Sequence, residues 1–126
     1  PDGKEIRDML TLRLHMEFAP NACGEAAAVL RSLVGPVRAE PGCRSTRFSV
    51  GPADRCELTW VEEWSNTEDF ERHLRTQAFR QILAVIDLAA APPVVEIDDV
   101  SSRRGFDLVE EILGINAVEQ TDFGTR

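Results

Sequence analysis

Two stretches of the chain alternate hydrophobic with polar residues, and each predicts a strand with one buried face. From Met9 to Phe18 every second residue is large and apolar, and most of the residues between them are polar. The stretch Cys56–Trp64 has the same period of two, with Trp60, Glu62 and Trp64 on one face. A period of two matches the side-chain repeat of a pleated strand. Both strands are therefore predicted to cover one core.

A first helix is predicted after Pro20 and Asn21, where apolar residues recur every three or four positions. Gly35 and Pro36 interrupt this pattern. Since proline lacks the amide that a helix interior needs, we predict a kink or an early stop near Val34.

A second helical region is predicted to open at Ser65, because its spacing from Glu68 is that of a capping box. Its apolar residues before position 75 lie on one side, whereas those from 79 to 86 lie roughly opposite. This change of phase predicts a break near Thr76 and Gln77, giving two short helices that cover the same sheet.

Further strands are predicted at Cys43–Val50 and over 94–100, each after a turn rich in proline or glycine. The resulting order predicts an α+β fold, the ferredoxin-like βαββαβ arrangement with an antiparallel sheet and helices on one face. We assign 1–8 to a polar lead, 9–100 to the domain, and 101–126 to a C-terminal extension with a short helix and a frayed tail. The other sheet face is predicted to close against a second copy, forming a homodimer. That face is expected to carry Thr11, Arg13, His15, Thr59 and Val61, or the opposite set if the facing of the strands is reversed.

Length and charge exclude several classes of binding partner. The 126 residues suit one domain, and the formal charge of -8 provides no basic surface for nucleic acid or an anionic membrane. No run approaches the roughly 18 apolar residues of a membrane span. The first residues lack the apolar core of a signal peptide, so we expect a cytoplasmic protein.

The three cysteines, Cys23, Cys43 and Cys56, form no CxxC pair and no zinc-ligand pattern. We therefore expect reduced, inert thiols, and neither a metal site nor a bound cofactor.

Two motifs resemble the antibiotic biosynthesis monooxygenase (ABM) domains over roughly residues 9–100. They are Glu40-Pro41-Gly42-Cys43, which enters the second strand, and Glu62-Glu63-Trp64, followed nine residues after the tryptophan by His73 and then by Leu74, Thr76 and Phe79. The resemblance implies a dimeric α+β barrel with a pocket in each subunit between sheet and helices. For some members it also implies oxygenation of quinol-like or polycyclic aromatic substrates without metal, flavin or another prosthetic group.

The chain departs from this family at two positions. Quinol-oxidising relatives have a second histidine five residues after the first, where this chain has Ala78. Haem-degrading relatives have a haem-ligating histidine at the position of Leu83, so haem degradation is disfavoured.

His73 is the candidate base, because a histidine can titrate near neutral pH, and Trp64 is the candidate pocket wall. The alternatives are a structural histidine at the helix–sheet seam and a tryptophan that belongs to the core. Candidate substrate-binding residues are Trp60, Glu62, Phe79 and Arg80. Structural alternatives are a core role for Trp60, an exposed position for Arg80, and an ion pair of Glu62 with Arg47 or Arg13.

These residues favour a cofactor-independent monooxygenase acting on a small aromatic or quinol-type metabolite. An electron-rich phenolate can itself pass an electron to dioxygen, so the protein needs little beyond a dry pocket, a base and fixed dipoles. Two alternatives stay open: a dimeric module that binds a small apolar ligand without transforming it, and an isomerase of a small carbonyl compound.

Overall fold

The predicted order of elements is confirmed by a computed structural model, which describes residues 9–52, 55–99 and 103–114. The elements are β1 Leu10–Phe18, α1 Pro20–Arg38, β2 Cys43–Val50, β3 Cys56–Trp64, α2 Thr67–His73, α3 Gln77–Asp87, β4 Val94–Asp98, β5 Arg103–Arg104 and α4 Phe106–Leu113. The polar lead and the frayed tail lie outside the described residues. The short helix predicted in the C-terminal extension is present as α4.

The sheet is antiparallel throughout, with strand order β2-β3-β1-β4-β5. Its first four strands have the ferredoxin-like arrangement, as predicted. Strand β5 was not predicted. It pairs with the end of β4, where Ile97 lies opposite Arg104. The guanidinium of Arg104 donates to Asp107 at 2.7 Å and to Glu111 at 3.1 Å, which links β5 to α4.

The core lies between the sheet and the helices. On β1 the residues of even number are buried, and none of these five is more than 7% exposed. The register places Leu14 opposite Trp60 and Leu12 opposite Glu62, so the inward residues of β1 and β3 lie side by side. Burying such side chains contributes roughly 1.5–3 kcal/mol each, which makes this face the main source of stability.

The outer face of the sheet carries the polar set that the sequence predicted. Arg13 forms ion pairs with Glu96 at 3.4 Å and Asp98 at 3.8 Å, and the Nδ1 atom of His15 lies 3.0 Å from the Thr59 hydroxyl. Closure of this face against a second copy stays a prediction.

Three details of the helices bear on the sequence predictions. The break near Thr76 is confirmed, because this residue caps α3 by accepting from the amide of Phe79 at 3.2 Å. The cap of α2 is Asn66 rather than Ser65, and its side chain accepts from the amide of Asp69 at 2.8 Å. Of the two outcomes predicted near Val34, the early stop is wrong, since α1 continues through Pro36 to Arg38, and the kink stays a prediction. None of the described helices is long and apolar enough to cross a membrane.

Pro36 lies in the last turn of α1. It has no amide to donate to the carbonyl of Ser32, so the helix lacks one hydrogen bond there. Beyond it, the amide of Ala39 still donates to the carbonyl of Gly35 at 3.0 Å, which closes the helix.

Cys23 and Cys56 form a disulfide with 5.8 Å between their Cα atoms, so the expectation of reduced thiols is wrong for both. Strand register explains the pairing. Phe18 lies directly opposite Cys56, and α1 begins two residues after Phe18, which brings the first turns of this helix over the start of β3. The remaining cysteine, Cys43, is a free thiol and half-buried.

Candidate functional site

Glu62 is the centre of a buried hydrogen-bond network between sheet and helices. The alternation of β3 turns Trp60, Glu62 and Trp64 toward the helices, and each is 0% exposed. The indole N–H of Trp60 donates to the Glu62 carboxylate at 2.7 Å, and that of Trp64 donates to its other oxygen at 2.9 Å. The suggested pairing of Glu62 with Arg47 or Arg13 is therefore wrong, because both arginines lie on the outer face.

His73, the last residue of α2, is also 0% exposed and lies between two carboxylates. Its Nε2 atom is 2.9 Å from Glu62 Oε2, and its Nδ1 atom is 2.9 Å from Glu40 Oε1. The Trp64 ring lies beside the imidazole with 4.7 Å between centroids, and Phe79 presents an edge contact at 5.3 Å. The structure therefore brings together the candidate base and the candidate pocket wall.

Glu40 is the member of this network that the sequence analysis did not assign to the site. It lies in the turn between α1 and β2, and 17% of its side chain is exposed. The turn requires Gly42, whose φ is 84° and where a Cβ would overlap the side chain of Asp69. The carbonyl of Gly42 accepts from the amide of Ser65 at 2.8 Å, which fixes the turn against the start of α2. The sequence feature that includes it is the Glu40-Pro41-Gly42-Cys43 motif. This motif predicted a turn, and it did not indicate that the glutamate side chain faces the site.

The charges of the network favour a protonated imidazole. Burial alone would lower the pKa of His73, but the hydrogen bonds and charges of Glu62 and Glu40 outweigh it and raise the pKa above its ordinary value of 6.5. Burial raises the pKa of Glu40 above 4.5, and the neighbouring His73 offsets this only in part. The site therefore holds its protons more tightly than free side chains would.

Five of the six predicted site residues lie in or against this network, and Arg80 does not. Arg80 is exposed on α3, which agrees with the alternative that the sequence left open. Within the described residues, no buried side-chain nitrogen or oxygen lacks a partner, and no group of three or more His, Cys, Asp or Glu side chains is placed to hold a metal ion.

A surface cleft of ≈ 260 Å³ lies at the far end of β1 and β3. It is lined by Glu17, Phe18, Pro20, Arg55, Cys56 and Glu57. None of the predicted site residues lines this cleft.

Solved structures share this fold at low sequence identity. Rv0793 from Mycobacterium tuberculosis is 24% identical with a TM-score of 0.63, and the match covers 74% of this chain and 99% of that one. PA3566 from Pseudomonas aeruginosa is 24% identical with a TM-score of 0.65, over 77% and 98% of the two chains. A structure described as an antibiotic biosynthesis monooxygenase is 22% identical with a TM-score of 0.64, over 74% and 99%.

Comparison with curated proteins gives no match. The family model described as antibiotic biosynthesis monooxygenase matches residues 9–85, which span β1 to most of α3. That range includes Glu40, Glu62, Trp64 and His73. On this match and the shared fold, the chain belongs to the antibiotic biosynthesis monooxygenase family.

Proposed function

We propose that this protein is a monooxygenase that oxidises a small aromatic or quinol-type metabolite with dioxygen and without a prosthetic group. The observation that supports it most is the fully buried imidazole of His73, held between two carboxylates and stacked beside Trp64. An acid–base network of imidazole and carboxylates in a buried, aromatic environment suits the deprotonation of a phenol. Family membership supports the reaction class.

In the proposed reaction the substrate supplies all the electrons. The substrate loses a proton to the acid–base network, and its anion transfers one electron to dioxygen. The radical pair combines into a peroxide, which loses water. In an anthrone-type substrate a CH2 group thus becomes C=O, and in a hydroquinone a ring C–H becomes C–OH while the ring is oxidised to the quinone. In both cases one oxygen atom enters the product and the other leaves as water. The roles are the acid–base network around His73 as proton acceptor, Trp64 and Phe79 as pocket walls, Glu62 as the group that holds the imidazole, and Trp60 as the donor that holds Glu62.

Replacing His73 with glutamine should lower oxygen consumption with substituted hydroquinones or anthrone-type phenols by about 10²–10⁴-fold, because the acid–base network loses its imidazole. Glutamine keeps a hydrogen-bonding side chain between the two carboxylates, and circular dichroism would verify the fold. His15→Gln is the matched control, since His15 lies on the outer face of the sheet and should leave turnover unchanged. Unchanged turnover in a folded His73→Gln variant would remove the mechanism.

A second candidate function is a binding module without catalysis. Both ring nitrogens of His73 already have carboxylate partners, and Ala78 stands where a second histidine would be needed. A ligand that raises the melting temperature but yields no product under oxygen would favour this function. Product formation in the absence of oxygen would instead indicate an isomerase.

We also propose that the chain is a homodimer that closes the outer sheet face, where the polar side chains of β1 and β3 are mostly half-buried and Val61 is 8% exposed in the single subunit. Sedimentation velocity should give twice the chain mass of 14.0 kDa. Substituting Arg13 with glutamate would place a third carboxylate beside Glu96 and Asp98 and should weaken the association. A wild-type protein that sediments as one chain at micromolar concentration would contradict this proposal.

A further inference from the structure

We infer that Glu40 is the catalytic group that receives the proton from a substrate hydroxyl, and that His73 positions Glu40 from the buried side. This inference rests on the proposed function and assigns the ligand-facing end of the same network. It follows from counting hydrogen-bond donors and from the exposure of each member.

At the Glu62 end of the network, the hydrogen-bond donors are set by the two tryptophans. An indole nitrogen carries a hydrogen that it can only donate, so both carboxylate oxygens of Glu62 act as acceptors toward Trp60 and Trp64. The Oε2 atom that accepts from Trp60 also lies 2.9 Å from His73 Nε2. Because both oxygens of Glu62 already accept from an indole N–H, Nε2 of His73 is assigned as the donor of this contact.

The proton that can move therefore lies at the other end, between His73 Nδ1 and Glu40 Oε1. One of these two atoms carries it across the 2.9 Å contact, as imidazolium N–H or as carboxyl O–H. The hydrogen bonds to Glu62 already have fixed donors. A proton exchanged with a ligand must therefore move at the contact between His73 and Glu40.

The solvent exposure of the side chains also points to the Glu40 end of the network. The side chains of Glu62 and His73 are both 0% exposed, whereas that of Glu40 is 17% exposed. Arg72, on the same helix as His73, has a side chain that is 53% exposed and forms an ion pair with Asp69. A ligand can therefore reach Glu40 without any movement of the buried pair.

The charged groups around Glu40 define the ligand class. Glu40 interacts with His73 and Arg72 from α2 and with Glu62 from β3, and Cys43 on β2 is within range of both carboxylates. Burial raises the pKa of the Cys43 thiol, so it adds no negative charge near neutral pH. Glu40, Glu62 and Asp69 would repel a carboxylic acid. The site suits a neutral hydroxyl with an acidic proton, such as a phenol or hydroquinone.

The proton transfer balances without another reactant. The O–H bond of the ligand breaks and a new O–H bond forms on Glu40. The aryloxide that results is stabilised by the imidazolium of His73 and by Arg72. The raised pKa of Glu40 favours uptake of this proton.

Glu40→Gln tests the inference. An amide oxygen still accepts from Nδ1–H, so the network keeps its shape while the base is lost. We expect kcat for a hydroquinone to fall by about 10²–10⁴-fold with little change in KM. Glu25→Gln, which removes an exposed carboxylate on α1, is the matched control and should leave kcat unchanged. A folded Glu40→Gln variant with wild-type kcat overturns the inference.

A second measurement does not depend on turnover. The chain has only 2 histidines, so the ring nitrogen resonances of His73 and His15 can be distinguished by NMR. Phenol, which the protein need not oxidise, should shift the Nδ1 resonance of His73 in wild-type protein and not in Glu40→Gln. Should phenol shift it while hydroquinones are not turned over, the proposed function fails and the assignment of Glu40 stands. If phenol shifts neither histidine in the wild type, the assignment is overturned.

The raised pKa values of Glu40 and His73 also predict how the free energy of unfolding depends on pH. The pKa values of Glu40 and His73 are both raised, so the folded chain binds more protons than the unfolded chain between the ordinary and the raised values. The free energy of unfolding should therefore fall as the pH rises from 6.5 through the raised pKa of His73. Glu40→Gln removes one of the two carboxylates that raise this pKa and should make the fall smaller. A fall as large in Glu40→Gln as in wild type would contradict the coupling of Glu40 to His73.

Discussion

Replacing Glu62 with alanine should lower the free energy of unfolding by roughly 3–5 kcal/mol, the cost typical of breaking a buried ion pair from one side. The substitution leaves three buried N–H groups without their acceptor: the two indoles and Nε2 of His73. Each orphaned donor keeps its desolvation cost and gains nothing in return. The change also opens a cavity among large side chains.

Urea unfolding would measure this loss as a shift of the midpoint at an unchanged slope. Glu63→Ala is the matched control, because Glu63 is the next residue on β3 but points to the outer face. Its carboxylate accepts from the hydroxyl of Ser45 at 2.8 Å. This variant should lose no more than about 1 kcal/mol. Equal losses in the two variants would mean that the buried network contributes nothing particular to stability.

Reducing the Cys23–Cys56 disulfide should lower the free energy of unfolding by about 3–4 kcal/mol, because the bond closes a loop between residues 33 apart and limits the unfolded chain. The measurement is a melt with and without dithiothreitol. Cys43→Ser should respond to the reductant as the wild type does, since this thiol is free.

Thiol titration of the denatured protein without reductant checks the premise. It should find one reactive thiol per chain, from Cys43, and three after reduction. Three thiols before reduction would show that the bond does not form in the protein as prepared. Disulfides of this kind persist in oxidising compartments and are rare in the cytosol, so this titration also tests the cytoplasmic location expected from the sequence, which stays a prediction.

Local patterns in the sequence were enough to predict the fold. The alternation of β1 and β3 fixed which residues face the helices, and the change of phase after Leu74 predicted the break that Thr76 caps. The same alternation placed Trp60, Glu62 and Trp64 on one face. A strand period carries this information because each side chain's direction depends only on its neighbours in the chain.

Contacts between distant segments could not be predicted in this way. Glu40 with His73 and Cys23 with Cys56 each join residues 33 apart, and both depend on how the long helix α1 lies on the sheet. Neither pair has a local spacing that marks it. Residues 103–104 likewise form a strand only because β4 offers an edge to pair with.

The short strand β5 has a bearing on how the protein stays in solution. An open sheet edge offers unpaired N–H and C=O groups to other molecules, and this is a common start of aggregation. The family match ends at residue 85, before β4, so the protection of that edge comes from residues beyond the shared core. A chain cut back after β4 would retain its fold-defining strands and helices but would leave the β4 edge at Ile97 and Asp98 without its partner strand. Strand β5 thus occupies hydrogen-bonding groups of β4 that would otherwise be open to a strand of another molecule.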